Sequence, residues 1–398
     1  MSFNDQTFEI AAEDSGSHVQ HRDVFESESK LDSFISTRLL QWSDPKKLDQ
    51  ILGFVLQAWF GTLTPRTSSN PAWTHELWHH WIRLHRTTAC QRTEVDLRNA
   101  SGSNCGECGL AHGWVNAKAY LDYRDLLCDS SIEAVTICLP HFLHEQVTKD
   151  ALNAGKHVLV EKPLAISVEA GERLCRLAER VSRVLMVEMT HRFMPPVAEA
   201  REIVQAGRLG KILAVTETLF ENIGLFGSLP TWMLSKEKAG GGVGLTSGIH
   251  LLDHVAWITG RPLSLQGARF GYSQALGDIE DTAAFFLTSD DGIPVHLTLG
   301  WRSEGKSLEG GILCHGTHGT LQVDCWGGWK IETGNGCQQR CCFDDGTSIA
   351  ERALVGITSA IKEFVAAIRE SRSPNPSADE SLVSQQLIEQ AYFLAKSQ

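Results

Sequence analysis

The sequence lacks any apolar run long enough to cross a membrane, and it lacks an excess of positive charge. Its longest apolar stretch, Ile51 to Leu63, is shorter than the roughly 20 residues of a spanning helix and contains Gln57. The net charge of −12 argues against binding to nucleic acid or to a membrane surface, since both favour basic patches. Met1 to Ser17 is polar and acidic, so we expect no secretory signal there.

The chain also lacks the paired cysteine pattern of a disulfide framework or a zinc ribbon. It has 11 cysteines, and Cys138 and Cys175 stand inside apolar runs, where a free thiol behaves as a small hydrophobic group. This usage predicts a reducing, cytoplasmic location. Cys105 and Cys108 form one CxxC pair without a second pair at zinc-ribbon spacing, whereas structural zinc needs four ligands. We therefore expect no bound metal.

The 398 residues, 42% of them hydrophobic, are enough for two globular domains. Residues 1–115 match no regular pattern and are predicted to be an atypical, partly disordered N-terminal region. Residues 116–190 alternate strand, helix, strand, helix, strand, which is typical of a Rossmann-type parallel sheet. The predicted elements are the strands Ala134–Leu139, His157–Val160 and Val184–Val187 and the helices Leu143–Asn153 and Val168–Val181.

Residues 191–398 have a different character. Five short strands follow one another between 268 and 323 without intervening helices, and the helices Gly356–Arg369 and Glu380–Ala395 close the chain. This order predicts an α+β domain with a mainly antiparallel sheet, one face of which is open. The fold class expected for the whole chain is α/β, with a Rossmann-type sheet followed by this second domain.

A lysine stands at the end of the central predicted strand. His157 to Val160 is a buried-strand run, and Glu161, Lys162 and Pro163 follow it. Ligands bind at the carboxyl ends of the strands in open α/β sheets. Because Pro163 disfavours helical backbone at the residue before it, Lys162 is expected to extend from the sheet edge toward a substrate. The alternative is a solvated surface lysine.

A glycine-rich segment with a histidine forms the second candidate site. Three glycines, Gly240 to Gly242, let backbone approach a ligand closely. Thr246, His250 and Asp253 are spaced four and three residues apart, which places them on one face of a helix. A histidine exchanges protons near neutral pH, and a neighbouring carboxylate can orient it. The alternative is a hydrogen-bonded core histidine, and the pairing with Lys162 favours the functional interpretation.

These motifs resemble those of the glucose–fructose oxidoreductase, inositol dehydrogenase and rhizopine-catabolism family (Gfo/Idh/MocA). The matching segments lie in order over about 117–398. They are Tyr120 to Leu127, Ile132 to His144, Ala151 to Pro163, His191 to Pro195, Gly207 to Lys211 and Gly240 to Asp253. The combination of Glu-Lys-Pro at a strand end with Gly-Ile-His-x-x-Asp is far more specific than either motif alone.

The resemblance implies an oxidoreductase that uses NAD or NADP to act on the CH–OH or carbonyl group of a sugar, an inositol or a related polyol. It implies that Lys162 holds the reacting oxygen and that His250 is the acid/base. The implied substrate-binding residues are Asp253, Thr246 and Arg192, and the implied cofactor-binding residues are Leu139, Pro140, His144, Glu161 and Lys162. It further implies a small-molecule substrate and a homo-oligomer formed through the open sheet face.

The sequence departs from the family pattern in two places. Thr246 stands where the family often has aspartate. No Gly-x-Gly-x-x-Gly turn, which receives the pyrophosphate of a dinucleotide, is present in residues 1–115. The first βαβ half is therefore expected to be missing or replaced. This leaves open an alternative function, in which the chain senses a sugar or nucleotide without turning it over.

A third function is suggested by His75-Glu76-Leu-Trp-His79, which matches the HExxH motif of zinc peptidases. On a helix the two histidines would share a face, and Glu76 could act as the base. The extended form of the motif requires glycine where this chain has Ile82. The alternative is an amphipathic segment that packs on the second domain.

Overall fold

The computed structural model describes residues 122–223, 229–273, 276–302 and 308–396. The predicted N-terminal region, the HExxH segment His75–His79 and the pair Cys105/Cys108 lie outside these ranges. Within the described ranges, no helix combines the length and the apolar character needed to span a bilayer.

The first part of the described chain is a three-stranded parallel sheet in the order β1-β2-β3. Its strands are β1 (Ala134–Ile137), β2 (His157–Glu161) and β3 (Leu185–Glu188), and its helices are α1 (Tyr123–Cys128), α2 (His141–Asn153) and α3 (Val168–Arg180). Every strand residue except His157 is buried. Helices cover both faces of such a sheet, which explains the continuous apolar runs in the sequence. The predicted parallel arrangement is confirmed.

The second part is built on an eight-stranded sheet in the order β11-β10-β9-β8-β4-β7-β6-β5. The strands are β4 (Ile212–Asn222), β5 (Leu263–Gly271), β6 (Thr282–Ser289), β7 (Pro294–Arg302), β8 (Leu308–Gly316), β9 (Gly319–Asp324), β10 (Gly328–Thr333) and β11 (Gly336–Cys341). Only β4 and β7 pair in parallel among these described strands. The sequence did not predict β10 and β11, because the polar, exposed β11 has no apolar alternation to detect.

The helices of the second part are α4 (Pro195–Gln205), α5 (Lys236–Ala239), α6 (Val243–Thr246), α7 (Gly248–Thr259), α8 (Ile349–Glu370) and α9 (Ala378–Lys396). Of these, α4, α6, α7 and α9 pack against the eight-stranded sheet. The α8 helix begins two turns before the predicted Gly356, because Ser348 and Glu351 form a reciprocal capping box. Sequence periodicity had detected only the buried part of this helix.

The two closing helices join the two parts of the molecule. Phe364 of α8 packs with Leu159 and Met186, so α8 covers one face of the parallel sheet. On the other side α9 packs against both α3 and β5. A Cβ atom on Gly171 of α3 would lie 2.4 Å from a methyl carbon of Leu382, so a larger residue there would force this buried side chain to move. As a result, the carboxyl ends of β1 to β3 are held beside α7.

Candidate active site

Lys162 lies immediately after β2, and its side chain is buried rather than solvated. The residue is 8% exposed, and its Nζ donates to the carbonyl oxygen of Thr246 at 2.5 Å. Burial lowers the pKa of this amine, while the carboxylates of Glu161 and Glu221 oppose the shift. The surface-lysine alternative is therefore wrong, and the predicted position at the sheet edge is correct.

The glycine-rich segment does not form one continuous helix with His250. The one-turn helix α6 ends at Thr246, Ser247 breaks the helical path, and α7 starts at Gly248. The prediction that Thr246, His250 and Asp253 share one helix face is wrong for Thr246. Its hydroxyl donates to the Gly242 carbonyl at 2.7 Å, while its own carbonyl accepts from Lys162.

Glu280 holds the three-glycine turn in place. Its Oε1 accepts from the backbone N–H groups of Gly242 at 2.8 Å and of Gly244 at 3.0 Å, and also from the Tyr392 hydroxyl. A Cβ atom on Gly242 would stand 2.0 Å from the Glu280 carbonyl oxygen. The glycine at 242 is thus required by the close approach of two backbone segments, and the turn fixes the Thr246 carbonyl that Lys162 uses.

His250 projects from α7 into a buried position and stacks on His191. The ring centroids are 3.9 Å apart with an interplanar angle of 15°. Burial, followed by the neighbouring His191 and Lys162, lowers the pKa of His250 well below its usual value. Its Nδ1 has no hydrogen-bond partner among the described residues. The imidazole is therefore neutral at physiological pH, and one of its ring nitrogens is not used by the described residues.

Three further residues, which sequence reasoning missed, extend the buried polar cluster beyond His191. They are His254, Glu217 and Cys325. Nδ1 of His191 lies 3.2 Å from Nε2 of His254, and Nδ1 of His254 lies 2.7 Å from Oε1 of Glu217. Although burial disfavours the charged ring, Glu217 and a hydrogen bond with Cys325 raise the pKa of His254 to about 10. His254 follows His250 by four residues on one helix, so its spacing could have revealed it. Glu217 on β4 and Cys325 in the turn after β9 are distant from His254 in the sequence and gave no signal.

The predicted substrate residues Arg192 and Asp253 lie together as a buried ion pair. Two guanidinium nitrogens of Arg192 contact the two carboxylate oxygens of Asp253 at 2.6 and 2.7 Å. A third nitrogen contacts Glu380 at 2.7 Å, and the guanidinium lies 4.5 Å from the ring centroid of Trp257. Both residues are at most 5% exposed, so this geometry supports a role in packing, while contact with substrate stays a prediction.

The residues predicted to line the cofactor gather at the ends of β1 and β2. His144 places one ring nitrogen 2.7 Å from the Pro163 carbonyl and the other 2.8 Å from the Leu139 carbonyl. Burial lowers the pKa of this histidine. The ring therefore ties the loop at Leu139 and Pro140 to the turn that carries Lys162.

Two carboxyl groups meet at the ends of β2 and β3. Glu161 and Glu188 are register partners in the parallel sheet, and both are buried. Burial and the neighbouring Glu161 raise the pKa of Glu188 well above its usual value, so Glu188 is protonated and shares a hydrogen bond with Glu161. Sequence reasoning missed Glu188, although it ends its strand in the same way as Glu161.

Two family models match consecutive segments of the chain. "Oxidoreductase family, NAD-binding Rossmann fold" matches residues 94–189, and "GFO/IDH/MocA C-terminal domain" matches residues 197–322. The chain belongs to the Gfo/Idh/MocA oxidoreductase family. This confirms the family and the fold class inferred from the motifs. The first model begins at residue 94, before the point near 117 where the recognisable motifs start.

Individual relatives share parts of the chain. D-glucoside 3-dehydrogenase of Escherichia coli K12 is 31% identical over 183 residues, which are 45% of this chain. The chain thus spans about half, 51%, of that relative's length. Levoglucosan dehydrogenase in complex with NADH and levoglucosan has a TM-score of 0.62 at 22% identity, over 74% of this chain and 85% of its own. An Agrobacterium radiobacter oxidoreductase in complex with NAD+, L-tartaric acid and magnesium has a TM-score of 0.66 at 18% identity. The match covers 73% of this chain and 85% of that protein's chain. The two solved structures share the fold.

Proposed function

We propose that this chain is an NAD-dependent oxidoreductase that acts on the CH–OH or carbonyl group of a sugar, an inositol or a related polyol. The observation that carries the proposal is the neutral, buried His250, whose Nδ1 has no partner among the described residues, beside the buried amine of Lys162. The E. coli D-glucoside 3-dehydrogenase and the levoglucosan dehydrogenase support the substrate class.

The two side chains suit the oxidation of an alcohol. Bound NAD would supply the hydride acceptor. Lys162 donates a hydrogen bond to the reacting oxygen and stabilises the negative charge that develops on it. His250 takes the hydroxyl proton, because its depressed pKa keeps a ring nitrogen unprotonated. In the reverse direction, the protonated ring returns that proton to the carbonyl oxygen. The Thr246 carbonyl occupies one donor of Lys162 and fixes the direction of the others.

The described sheet fits the nicotinamide half of a dinucleotide site. The ends of β1 and β2 meet at Leu139, Pro140, Glu161 and Lys162, where ligands bind in open α/β sheets. The His144 ring contacts backbone carbonyls at both ends, which fixes the position of the surface on which the cofactor would lie. We favour NAD over NADP because the solved relatives carry NADH or NAD+.

Calorimetric titration of the purified full-length chain with NAD, NADH and NADP tests the cofactor. We expect saturable NAD(H) binding by the wild type and by Lys162→Ala, with turnover of a glucoside or inositol lost only in the variant. The matched control is Lys149→Ala, an exposed lysine on α2. If neither dinucleotide binds, the oxidoreductase proposal fails, and the non-catalytic sensor becomes the better interpretation.

We propose that two copies pair through the helix-free face of the eight-stranded sheet. Phe286 lies on that face and is 48% exposed, and its ring stacks on His296 with centroids 4.9 Å apart. Burial of such an apolar surface against a partner is energetically favourable. Light scattering should give a dimer for the wild type and a monomer for Phe286→Glu, and a monomeric wild type would contradict the proposal.

We also propose a cytoplasmic location. The structure describes free thiols at the buried residues Cys138, Cys175 and Cys314, in keeping with a reducing compartment. A fluorescent fusion imaged in the source cells tests this, and secretion of the fusion would contradict it.

A further inference from the structure

Three potential metal ligands converge beside the proposed base, although sequence spacing predicted no metal site. One ring nitrogen each of His191 and His254 and the thiol sulfur of Cys325 all lie within 4.8 Å of one another. They come from the short 3-10 helix Thr190–Phe193, from α7 and from the turn between β9 and β10. We propose that these three side chains bind one divalent transition-metal ion of the zinc type.

The spacing of the two imidazoles suits a tetrahedral ion. Nδ1 of His191 and Nε2 of His254 are 3.2 Å apart. Two nitrogens that each stand 2.0–2.1 Å from a tetrahedral zinc ion are about 3.3 Å apart. The histidine pair therefore needs almost no rearrangement to accept the ion. A thiolate sulfur at about 2.3 Å from the ion would stand about 3.6 Å from each nitrogen. The Cys325 sulfur already lies within 4.8 Å of both ring nitrogens.

A buried carboxylate orients one of these ligands. Glu217 accepts a hydrogen bond from Nδ1 of His254 at 2.7 Å, which directs Nε2 toward His191 and Cys325. Histidine ligands of metals commonly donate their second N–H to such a carboxylate, which fixes the ring and increases its basicity. Glu217 is 4% exposed, so water does not compete for this contact. This arrangement distinguishes the cluster from a chance meeting of polar side chains.

The donor set indicates the class of ion. Two imidazoles and a thiolate favour zinc or a similar transition metal, whereas magnesium and calcium prefer oxygen ligands. Binding releases the proton on Nε2 of His254 and the thiol proton of Cys325, because only the unprotonated atoms coordinate. Three protein ligands leave a fourth position for water or a substrate oxygen. His250, stacked on His191, lies directly against one ligand of the ion.

Metal analysis of the full-length chain, purified without chelators, tests the site. We expect the wild type to hold one more equivalent of zinc than Cys325→Ser. Replacing zinc with cobalt(II) should give an intense thiolate-to-cobalt absorption band in the wild type and none in Cys325→Ser. Cys342→Ser, a partly buried thiol on a neighbouring segment, is the matched control and should keep both signals. His254→Gln should also lose the bound ion.

The same experiment distinguishes this site from other residues of the chain that could bind zinc. Zinc held by His75 and His79, or by Cys105 and Cys108, would remain in Cys325→Ser and would be lost in variants of those residues. The proposal is overturned if the wild type gains no cobalt–thiolate band, or if the band and the zinc persist in Cys325→Ser. Thermal melts of each variant show whether a lost signal reflects unfolding. The metal content is measured without NAD, so the result does not depend on the proposed oxidoreductase function.

Discussion

Removal of Arg192 gives the clearest prediction about what the buried ion pair does. In Arg192→Met, the Asp253 carboxylate stays 2% exposed and loses both guanidinium contacts, which measure 2.6 and 2.7 Å. A buried charge left without its partner costs about 3–5 kcal/mol of unfolding free energy. The loss of the contact between Arg192 and Trp257 adds a smaller penalty. We therefore expect a destabilisation in the upper part of that range.

Comparison with the other partner of Arg192 isolates this effect. Glu380 is 45% exposed at its side chain, so Glu380→Gln should cost at most about 1 kcal/mol. The double variant Arg192→Met/Asp253→Leu removes both buried charges and should recover part of the stability lost in the single variant. The expected order of stability is wild type, Glu380→Gln, the double variant and finally Arg192→Met.

Chemical denaturation followed by circular dichroism measures these differences, and a parallel thermal melt should fall by roughly 10 °C for Arg192→Met. If Arg192→Met instead unfolds like the wild type and only raises KM for a sugar, the pair serves substrate binding. The structural assignment of Arg192 and Asp253 would then be wrong, and the original motif-based prediction would be right.

Three further predictions concern the turn, the strand ends and the buried histidines. Gly242→Ala should lower the free energy of unfolding by at least about 1–3 kcal/mol, because its Cβ would meet the Glu280 carbonyl oxygen at 2.0 Å. Denaturation experiments measure this loss, and Gly334→Ala, which has no neighbouring atom within 4 Å, is the control. Glu188→Gln should keep the free energy of unfolding at pH 7 within about 1 kcal/mol of the wild-type value, because the carboxyl group that it replaces is already protonated. A large loss of stability would instead show that Glu188 is ionised. Stability should fall as the pH drops below about 6.5, since the pKa values of His141, His144, His191 and His250 are lowered in the folded state and the unfolded chain takes up the protons. Each histidine contributes at most about 1.4 kcal/mol per pH unit, and a flat denaturation profile between pH 7 and 5 would contradict the burial of neutral rings.

The parts of the fold that follow from periodicity were predictable. The buried strands of the parallel sheet and the amphipathic helix α3 have strong patterns, and their type was predicted correctly. The exposed strand β11 and the first turns of α8 have no such pattern. Pairing with β10 stabilises β11. A capping box stabilises the first turns of α8. These contacts depend on neighbours that a periodicity count does not include.

The site was predictable to the extent that its residues lie in local motifs. Lys162 and His250 each belong to a short motif, whereas Glu217 lies on β4 and Cys325 lies in the turn between β9 and β10. Tertiary pairing alone brings those two residues to His254. The break at Ser247 was also invisible, because helical spacing assumes continuous backbone. It turns Thr246 into a carbonyl acceptor for Lys162 rather than a side chain facing the ligand.

The pairing of Lys162 with a neutral His250 is the central claim, and kinetics of a His250→Gln variant test it most directly. The assay is NAD-dependent oxidation of a glucoside, with NAD affinity measured on the same preparation and the exposed His318→Gln as the control. We predict unchanged NAD affinity and a kcat reduced by about 10²–10⁴-fold in His250→Gln, the usual contribution of a general base. A variant that binds NAD and oxidises the glucoside at the wild-type rate would contradict the account.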